Sequence, residues 1–264
     1  MAGVCAAPTV YRGRQRNRQR GRGMKVLILG GAGMLGPYVV PALEADYDLR
    51  VTDIVPPPIE FRGEFRTVDV ANAEQVMEAA AGMDAIINLS VLRQDRKLAF
   101  DVNTLGCYNM MEAAVAHGIR RIINTGPHFT VAGPSYEQFD FDIGPEVPAQ
   151  PGTNLYALSK SLGQEICRVY SQHHDLYVQT YLFYNFVDPA HPKHKAEVAP
   201  FAVSWRDAGR VFGYGLEIPL EQLPSRCEIF NVFADIPYGK FSNEKVKRIL
   251  GWEAHDDISA IWRR

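Results

Sequence analysis

The stretch "LILGGAGMLG", residues 27–36, places glycines at three-residue intervals directly after an apolar run. Because glycine has no Cβ atom, such a loop can turn tightly and let a ligand approach its backbone N–H groups. The apolar run predicts a buried strand, and the following residues predict a helix whose N-terminus attracts anions. The stretch therefore indicates a dinucleotide pyrophosphate at a strand-to-helix junction. The loop residues that we expect to contact it are Gly30, Gly33, Met34, Leu35 and Gly36.

Beyond this loop, short apolar runs alternate with longer segments of helical spacing. Such alternation is typical of β-α-β units in a parallel sheet. The predicted strands are residues 25–30, 49–54, 65–70, 84–90, 120–126 and 177–183, and the main helical segments are residues 73–82, 98–118 and 154–174. We therefore predict an α/β fold, a Rossmann-type doubly wound parallel sheet with right-handed crossovers.

Two acidic residues close the strands that follow the glycine loop. Asp53 ends the second predicted strand, 17 residues beyond Gly36, where a carboxylate can accept hydrogen bonds from the ribose hydroxyls of an adenosine. The same carboxylate would repel a 2′-phosphate, which favours NAD over NADP. Asp69 ends the third predicted strand and, with Val70, is expected to contact the adenine.

Three regions differ in composition. Residues 1–23 hold six arginines and no acidic residue, a composition that cannot build a core, so we expect a disordered basic leader. Residues 24–187 form the predicted NAD-binding domain. Residues 188–264 are predicted to form a small C-terminal substrate-binding lobe, partly interleaved with that domain. Its predicted elements are a helix from Trp205 and a strand at residues 228–235.

The composition also limits the classes of partner. No apolar run approaches the roughly 20 residues of a membrane-spanning helix, so no membrane association is expected. The chain has 28 basic and 30 acidic residues, and six of the basic ones belong to the leader. The rest of the chain is therefore acidic overall, which argues against a nucleic-acid partner. Pro192 interrupts the spacing between His191 and His194, and without a third ligand no metal is expected. The four widely spaced cysteines indicate reduced thiols and a cytoplasmic protein.

A second stretch, "NLYALSK" at residues 154–160, separates Tyr156 from Lys160 by four positions. On a helix this spacing puts both side chains on one face, one turn apart. A nearby ammonium lowers the pKa of a phenol, and its donors can hold a nucleotide ribose. We expect Tyr156 to exchange a proton with a substrate hydroxyl near neutral pH, while hydride passes to the cofactor.

Taken together, the glycine spacing, Asp53 and the stretches "TVDV", "INLS", "DVNTLGCYNMMEAA", "YALSK" and "YNF" carry a family resemblance. The chain resembles the extended short-chain dehydrogenase/reductases, the NAD-dependent epimerase/dehydratase family, from Met24 to about Pro189. The stretch "GKFSNEKVKRILGWE" is similar to the C-terminal helix that is usual in this family.

The resemblance implies further site residues and an assembly. Leu89 and Ser90 would line the adenosine side of the cofactor. Asn103 would support the water network of the active site, and Asn185 would lie near the nicotinamide. In this family the long helices, here residues 97–117 and 154–172, commonly pair across a two-fold axis, which implies a homodimer.

The chain departs from the family pattern after the fifth strand. Members usually place a Ser or Thr there to hydrogen-bond the substrate oxygen, whereas this sequence reads "INTGPHFTVAG" at residues 123–133. Counting back from Gly133 puts His128 in that position, and counting forward from the strand puts Thr125 near it. Either side chain could donate a hydrogen bond, and an imidazole could also move a proton.

Another departure concerns size and the substrate. Leu182 stands where members of this family often have an arginine. The C-terminal region is also shorter than in members that bind nucleotide sugars, so little of it is left to hold a diphosphate and a base. In length the chain is similar to the compact hexuronate dehydrogenases of the family, which favours a small sugar-like substrate.

We therefore expect an NAD-dependent oxidoreductase that acts on a hydroxyl of a sugar or sugar nucleotide, as an epimerase or a dehydrogenase. A dehydratase ranks lower, because "GPHF" offers no acidic pair. The alternative is a non-catalytic NAD-binding sensor or scaffold of the same fold. The unusual "TGPHF" favours this alternative, and the intact pair of Tyr156 and Lys160 opposes it.

Overall fold

The computed structural model describes residues 23–128, 143–190, 201–235 and 241–261. The strands are β1 (Lys25–Leu29), β2 (Asp48–Asp53), β3 (Glu64–Thr67), β4 (Ala85–Asn88), β5 (Arg121–Pro127), β6 (Tyr177–Phe183), β7 (Asn185–Val187), β8 (Ala202–Ser204) and β9 (Cys227–Asn231). The α-helices are α1 (Gly36–Leu43), α2 (Ala73–Ala80), α3 (Arg96–Phe100), α4 (Gly106–Ala116), α5 (Leu155–His173), α6 (Trp205–Glu217) and α7 (Glu244–Leu250). The pair His191 and His194 lies outside the described residues, as do residues 1–22 of the leader.

Seven strands form one parallel sheet in the order β3-β2-β1-β4-β5-β6-β9. The strand order reverses at β1, which pairs with β2 on one side and with β4 on the other. Leu29 and Asn88 are in register at the carboxyl ends of β1 and β4. In open α/β sheets this switch point is where ligands bind. The predicted Rossmann-type fold is confirmed.

Helices cover both faces of the sheet, which explains why its strands are apolar along their whole length. Successive residues of a strand point to opposite faces. Ile28 of β1 belongs to the core under α1 and α6, whereas Leu27 and Leu29 belong to the core under α2, α4 and α5. The two cores hold the sheet rigid beneath the crevice.

The region after residue 187 differs from the predicted lobe. β9, which we assigned to a C-terminal lobe partly interleaved with the NAD-binding domain, is the seventh strand of the central sheet and pairs with β6 from Val178 to Leu182. Helix α6 packs on α1 over the same sheet. The local sequence pattern could not predict the position of these elements, because strand order depends on pairing between distant segments. Only the two-stranded sheet of β7 and β8 stands beside the main sheet in the described ranges.

Two predicted elements have different limits. β3 ends at Thr67, so Asp69 and Val70 follow the strand rather than close it. The long helix predicted near residues 97–117 is α3 and α4 joined by a π-helical turn at Asp101–Leu105. Such turns are frequent at functional sites. No helix in the described ranges is long and apolar enough to cross a membrane.

Candidate functional site

The glycine loop between β1 and α1 has the geometry of a phosphate cradle. Gly30 has a φ of 75°, and a Cβ atom there would lie 2.6 Å from the Cα of Ser90. A Cβ atom on Gly36 would lie 1.8 Å from the carbonyl oxygen of Gly31. Glycine is therefore required at both positions, because it lets the loop pack closely on the backbone at the end of β4 and on its own residue Gly31. This arrangement fits a dinucleotide at the N-terminus of α1.

Asp53 stands at the carboxyl end of β2, beside the glycine loop. Its Oδ2 accepts a hydrogen bond from the N–H of Ala32 at 3.0 Å, and its Oδ1 accepts one from the N–H of Ile54 at 2.8 Å. These two bonds fix the carboxylate at the edge of the loop. The position agrees with the predicted contact to a ribose, which stays a prediction.

Asp69 and Val70 lie in the turn before α2. Asp69 is exposed, and its Oδ1 accepts a hydrogen bond from the N–H of Ala71 at 2.9 Å. Val70 is buried, and its carbonyl oxygen accepts a bond from Asn109 at 2.9 Å. The bond from α4 holds this turn in place beside the carboxyl ends of the strands.

The end of β4 is held by an asparagine that the resemblance singled out. Asn103, in the π-helical turn, accepts a bond from the N–H of Leu92 at 3.0 Å and donates to the carbonyl of Leu92 at 2.7 Å. It also donates to the hydroxyl of Ser159 at 2.9 Å. Fully buried, Asn103 therefore acts on the loop after β4, which begins with Leu89 and Ser90.

A cavity of about 420 Å³ opens between the glycine loop, the ends of β4 and β5, and helix α5. It brings together seven of the predicted site residues and several that the sequence analysis did not single out. The lining residues are Met34, Leu35, Leu89, Val91, Arg93, Thr125, Gly126, Pro127, Tyr156, Lys160, Phe183, Tyr184, Asn185, Phe186 and Trp205.

Lys160 is almost fully buried beneath this cavity. Its ammonium donates a hydrogen bond to the carbonyl oxygen of Ser90 at 2.8 Å, which links α5 to the end of β4. Burial lowers the pKa of Lys160, while the nearby thiols of Cys107 and Cys167 raise it less. The predicted contact of Lys160 with a nucleotide ribose stays a prediction.

The environment of Tyr156 differs from the predicted one. We expected Lys160 to lower the pKa of the phenol, but burial raises the pKa of Tyr156, and the neighbouring cation that opposes this rise is Arg93. The guanidinium carbon of Arg93 lies 5.2 Å from the centre of the Tyr156 ring. Sequence spacing does not reveal the desolvation of the phenol, and the effect of Lys160 on the pKa of Tyr156 stays a prediction.

The structure separates the two alternatives for the substrate-oxygen contact. Thr125 lines the cavity, and its hydroxyl donates to the carbonyl oxygen of Asn88 at 2.8 Å. His128 is buried among aromatic rings, with Tyr184 at 4.2 Å and Phe201 at 5.3 Å between ring centres, and it is absent from the cavity lining. Burial lowers the pKa of His128 to about 3.

Stacked aromatic rings form part of the cavity wall. Phe186 stacks on Trp205 at 4.2 Å, and Trp205 stacks on Tyr38 of α1 at 5.2 Å between ring centres. Asn185 lines this side, and its N–H donates to the carbonyl of Phe201 at 3.1 Å. A planar ligand ring or the apolar face of a sugar can pack on such a wall.

Arg93 and Trp205 are two of the site residues that sequence reasoning missed. The family motifs carry neither of them, so motif spacing gave no signal. The available signal was position, because Arg93 lies three residues beyond Ser90, in the loop after β4. In the described ranges no group of His, Cys, Asp and Glu side chains could hold a metal ion.

Comparisons with known proteins show which family and fold this chain is similar to. The model of the NAD dependent epimerase/dehydratase family matches residues 26–206. An NAD-dependent glucose-6-phosphate dehydrogenase of Haloferax volcanii is 26% identical, over 88% of this chain and 93% of the relative. A uronate dehydrogenase of Pseudomonas putida is 31% identical over 55% of each chain. The crystal structure of uronate dehydrogenase from Agrobacterium tumefaciens superposes with a TM-score of 0.78 at 26% identity, covering 91% of this chain and 88% of the other.

These matches confirm the predicted NAD cofactor and the predicted class of NAD-dependent oxidoreductase. The glycine loop and the Tyr156 and Lys160 pair lie within the matched range. Because the family model spans well over half of the chain, this protein belongs to the NAD dependent epimerase/dehydratase family.

Proposed function

We propose that this protein is an NAD-dependent dehydrogenase that oxidises a hydroxyl group of a small sugar, with Tyr156 as the proton acceptor. The observation that carries the proposal is the cavity in which Tyr156, Lys160 and Thr125 meet at the switch point of the sheet. Similar proteins that bear the names of glucose-6-phosphate and uronate dehydrogenases support a free sugar over a sugar nucleotide.

The residues that would hold NAD follow from the site. The glycine loop would bind the pyrophosphate, Asp53 the adenosine ribose, and Lys160 the nicotinamide ribose. Asp69, Val70, Leu89 and Ser90 would border the adenosine, and Asn185 the nicotinamide. When bound, NAD supplies the acceptor for the hydride that leaves the sugar carbon.

The chain's own part of the reaction is the movement of one proton. The phenolate of Tyr156 accepts the proton of the sugar hydroxyl as the carbonyl forms. Thr125 donates its own hydrogen to Asn88, so its oxygen remains an acceptor that can orient a substrate hydroxyl. We assign the substrate-oxygen contact to Thr125 rather than His128, since His128 lies behind Tyr184 and outside the lining.

The aromatic wall supports a sugar-sized substrate. Phe186 and Trp205 contribute stacked rings to the cavity that Tyr156 also lines, and a sugar ring has an apolar C–H face that packs on such rings. With the cofactor bound, part of the cavity volume of about 420 Å³ is filled. The remaining space suits a monosaccharide better than a nucleotide sugar.

A homodimer is part of the proposal. Leu105, Tyr108 and Val115 on the π-helical turn and α4, with Leu162 and Val169 on α5, are large apolar side chains that remain exposed. They lie on the two helices that the resemblance assigns to a two-fold interface, and burial of such a patch stabilises a dimer. The reduced thiols of the buried Cys107 and Cys167 support a cytoplasmic location.

Formation of NADH on a panel of substrates tests the proposal. The panel contains hexuronates, hexose phosphates, neutral aldoses and nucleotide sugars. A dehydrogenase releases NADH with one of the first three classes. Interconversion of a nucleotide sugar without release of NADH identifies an epimerase instead, and NAD binding without turnover of any substrate identifies a sensor or scaffold.

The Tyr156→Phe variant assigns the chemistry to the site. It removes only the hydroxyl, so NAD affinity stays at the parental value while kcat falls by roughly 10²–10⁴-fold. Tyr214→Phe is the matched control, because Tyr214 lies on α6 outside the cavity lining and should retain parental turnover. Near-parental turnover of Tyr156→Phe contradicts the tyrosine mechanism.

A further inference from the structure

We propose that Arg93 binds an anionic substituent, a carboxylate or a phosphate, of the sugar substrate. The inference rests on the proposed function, because it names the class of sugar that the same cavity takes. It gives a binding role to a residue outside the motifs that identify the family. The proton transfer stays with Tyr156 and the cofactor ribose with Lys160.

Arg93 lies beside the proposed reacting group. It belongs to the loop after β4 and lines the cavity together with Tyr156 and Thr125. Its guanidinium carbon lies 5.2 Å from the centre of the Tyr156 ring. A sugar that presents one hydroxyl to the phenol therefore brings its other substituents within reach of this guanidinium.

The guanidinium of Arg93 has hydrogen-bond donors to offer a ligand. Its Nη1 contacts the sulfur of Met34 at 3.7 Å, and a thioether is only a weak acceptor. The guanidinium of Arg50, by contrast, pairs with the carboxylate of Glu64 at 2.7 Å. Because a guanidinium presents its donors in a planar fork that matches a carboxylate or a phosphate, Arg93 is suited to bind either group.

The charges of the cavity lining favour an anionic ligand. Arg93 and Lys160 line the cavity, and no Asp or Glu side chain does so in the described part of the chain. Lys160 is almost fully buried and donates to the carbonyl oxygen of Ser90 at 2.8 Å, whereas Arg93 is exposed. Of these two cations, Arg93 is therefore the one that a substrate entering from solvent meets.

The fold restricts the loop that carries Arg93. The N–H and the carbonyl of Leu92 are hydrogen-bonded to the side chain of Asn103 at 3.0 and 2.7 Å. Two residues beyond Arg93, Asp95 caps α3 by accepting a bond from the N–H of Leu98 at 2.8 Å. A loop that is held on both sides loses less conformational entropy when a ligand binds, which favours binding at this position.

An alternative partner for Arg93 is the pyrophosphate of the cofactor, because Met34 belongs to the glycine loop. The position beside Tyr156 favours the sugar, since the phenol marks the reacting end of the cavity. The two roles also predict different losses. A cofactor contact would affect NAD binding whichever sugar is present, whereas a sugar contact discriminates anionic from neutral sugars.

Steady-state kinetics tests the inference with glucose and galactose, each as the uronate, the 6-phosphate and the unmodified sugar. The parent protein should have a lower KM for a uronate or a 6-phosphate than for the neutral sugar, and the preferred form identifies the group that Arg93 binds. In Arg93→Met the KM for that form should rise by roughly 10–100-fold, the effect of losing a hydrogen bond between charged groups. The KM for the neutral sugar should not change, and kcat should change less than KM. Arg93→Lys should retain part of the preference.

Arg96→Met is the matched control, since Arg96 begins α3 on the surface and is absent from the cavity lining. It should keep the parental KM for every sugar. Because Arg93 is exposed, its variants should fold, and unchanged melting temperatures check this. An equal rise of KM for anionic and neutral sugars in Arg93→Met overturns the inference. A fall in NAD affinity with unchanged discrimination between the sugars also overturns it and assigns Arg93 to the cofactor.

Binding without turnover separates this inference from the proposed function. Calorimetry measures the binding of each sugar to the protein saturated with NADH, which cannot accept a hydride from it. Tighter binding of an anionic sugar than of its neutral form by the parent, and loss of that difference in Arg93→Met, support the inference even if no sugar is oxidised. Equal binding of anionic and neutral sugars, or no binding of any anionic sugar, overturns it even if the protein oxidises a neutral sugar.

Discussion

The ammonium of Lys160 donates a hydrogen bond to the carbonyl of Ser90, and this bond joins helix α5 to the end of β4 inside the core. It fixes the lysine at the place where the two halves of the sheet diverge. A hydrogen bond to a charged group contributes about 1.5–3 kcal/mol, so this bond stabilises the packing of α5 against the loop that follows β4.

Lys160→Met should lower NAD affinity at least about tenfold and should lower kcat as well. The substitution removes a cofactor contact and the cross-link to Ser90 together. Calorimetry of NAD binding measures the first effect. Lys97→Met serves as the control, because Lys97 is exposed and pairs with Asp101 on the surface. Parental NAD affinity in Lys160→Met would contradict the assigned contact.

Asp53→Ala should narrow the preference for NAD over NADP. The carboxylate that would repel a 2′-phosphate is removed, and the N–H of Ala32 loses its acceptor. Dissociation constants for both cofactors measure the change. Asp84→Ala is a suitable control, because Asp84 accepts a bond from Lys25 at the opposite end of the sheet. Tighter binding of NADP than of NAD by the parent protein would refute the assignment.

Gly36→Ala should destabilise the protein by about 3 kcal/mol or more and abolish NAD binding. The new methyl group would meet the carbonyl oxygen of Gly31 at 1.8 Å, so the loop must move. Gly82→Ala is the control, since Gly82 has a φ of 74° but open space around it. Its cost should be about 1 kcal/mol, from the backbone conformation alone. Similar losses in both variants would show that packing of the loop is not the cause.

Acid should destabilise the protein through His128. Burial lowers the pKa of His128 from 6.5 to about 3 in the folded state, so between these values the unfolded chain binds a proton that the folded chain does not. The free energy of unfolding therefore decreases as the pH falls below 6.5, by up to about 1.4 kcal/mol per pH unit.

His128→Phe should keep the aromatic packing with Tyr184 and Phe201 and flatten this dependence. Urea unfolding at pH 7.5, 6.5 and 5.5 compares the two proteins over a range in which most carboxylates stay ionised. His117→Phe, at an exposed position near the end of α4, should keep the parental slope. Equal slopes in the parent and His128→Phe would show that another group binds the proton.

Leu162→Glu should convert the proposed homodimer into a monomer. Leu162 is 41% exposed on α5 within the apolar surface of α4 and α5, and a buried unpaired charge is costly at an interface. Light scattering at micromolar concentration measures the mass. Val147→Glu, at an exposed apolar position away from these helices, should leave the mass unchanged. A monomeric parent protein would contradict the interface.

The parts of the structure that sequence predicted well depend on local patterns. β6 is found at Tyr177–Phe183, where the apolar run placed it, and Tyr156 and Lys160 share a face of α5 because their spacing requires it. The place of β9 beside β6 and the bond from Lys160 to Ser90 depend on contacts between distant residues, which no local pattern encodes. Arg93 was missed for the same reason, since it comes close to Tyr156 only when the loop after β4 packs beside α5.

The pairing of β9 with β6 has a consequence for folding of the chain during its synthesis on the ribosome. The region that carries the family motifs ends at residue 206, yet the sheet stays one strand short until residue 231 has left the exit tunnel. During that interval β6 presents an open apolar edge, which is a site for mispairing with other chains. Slow translation after residue 206 should therefore increase the demand for chaperones, although every residue of the proposed catalytic pair has already been made.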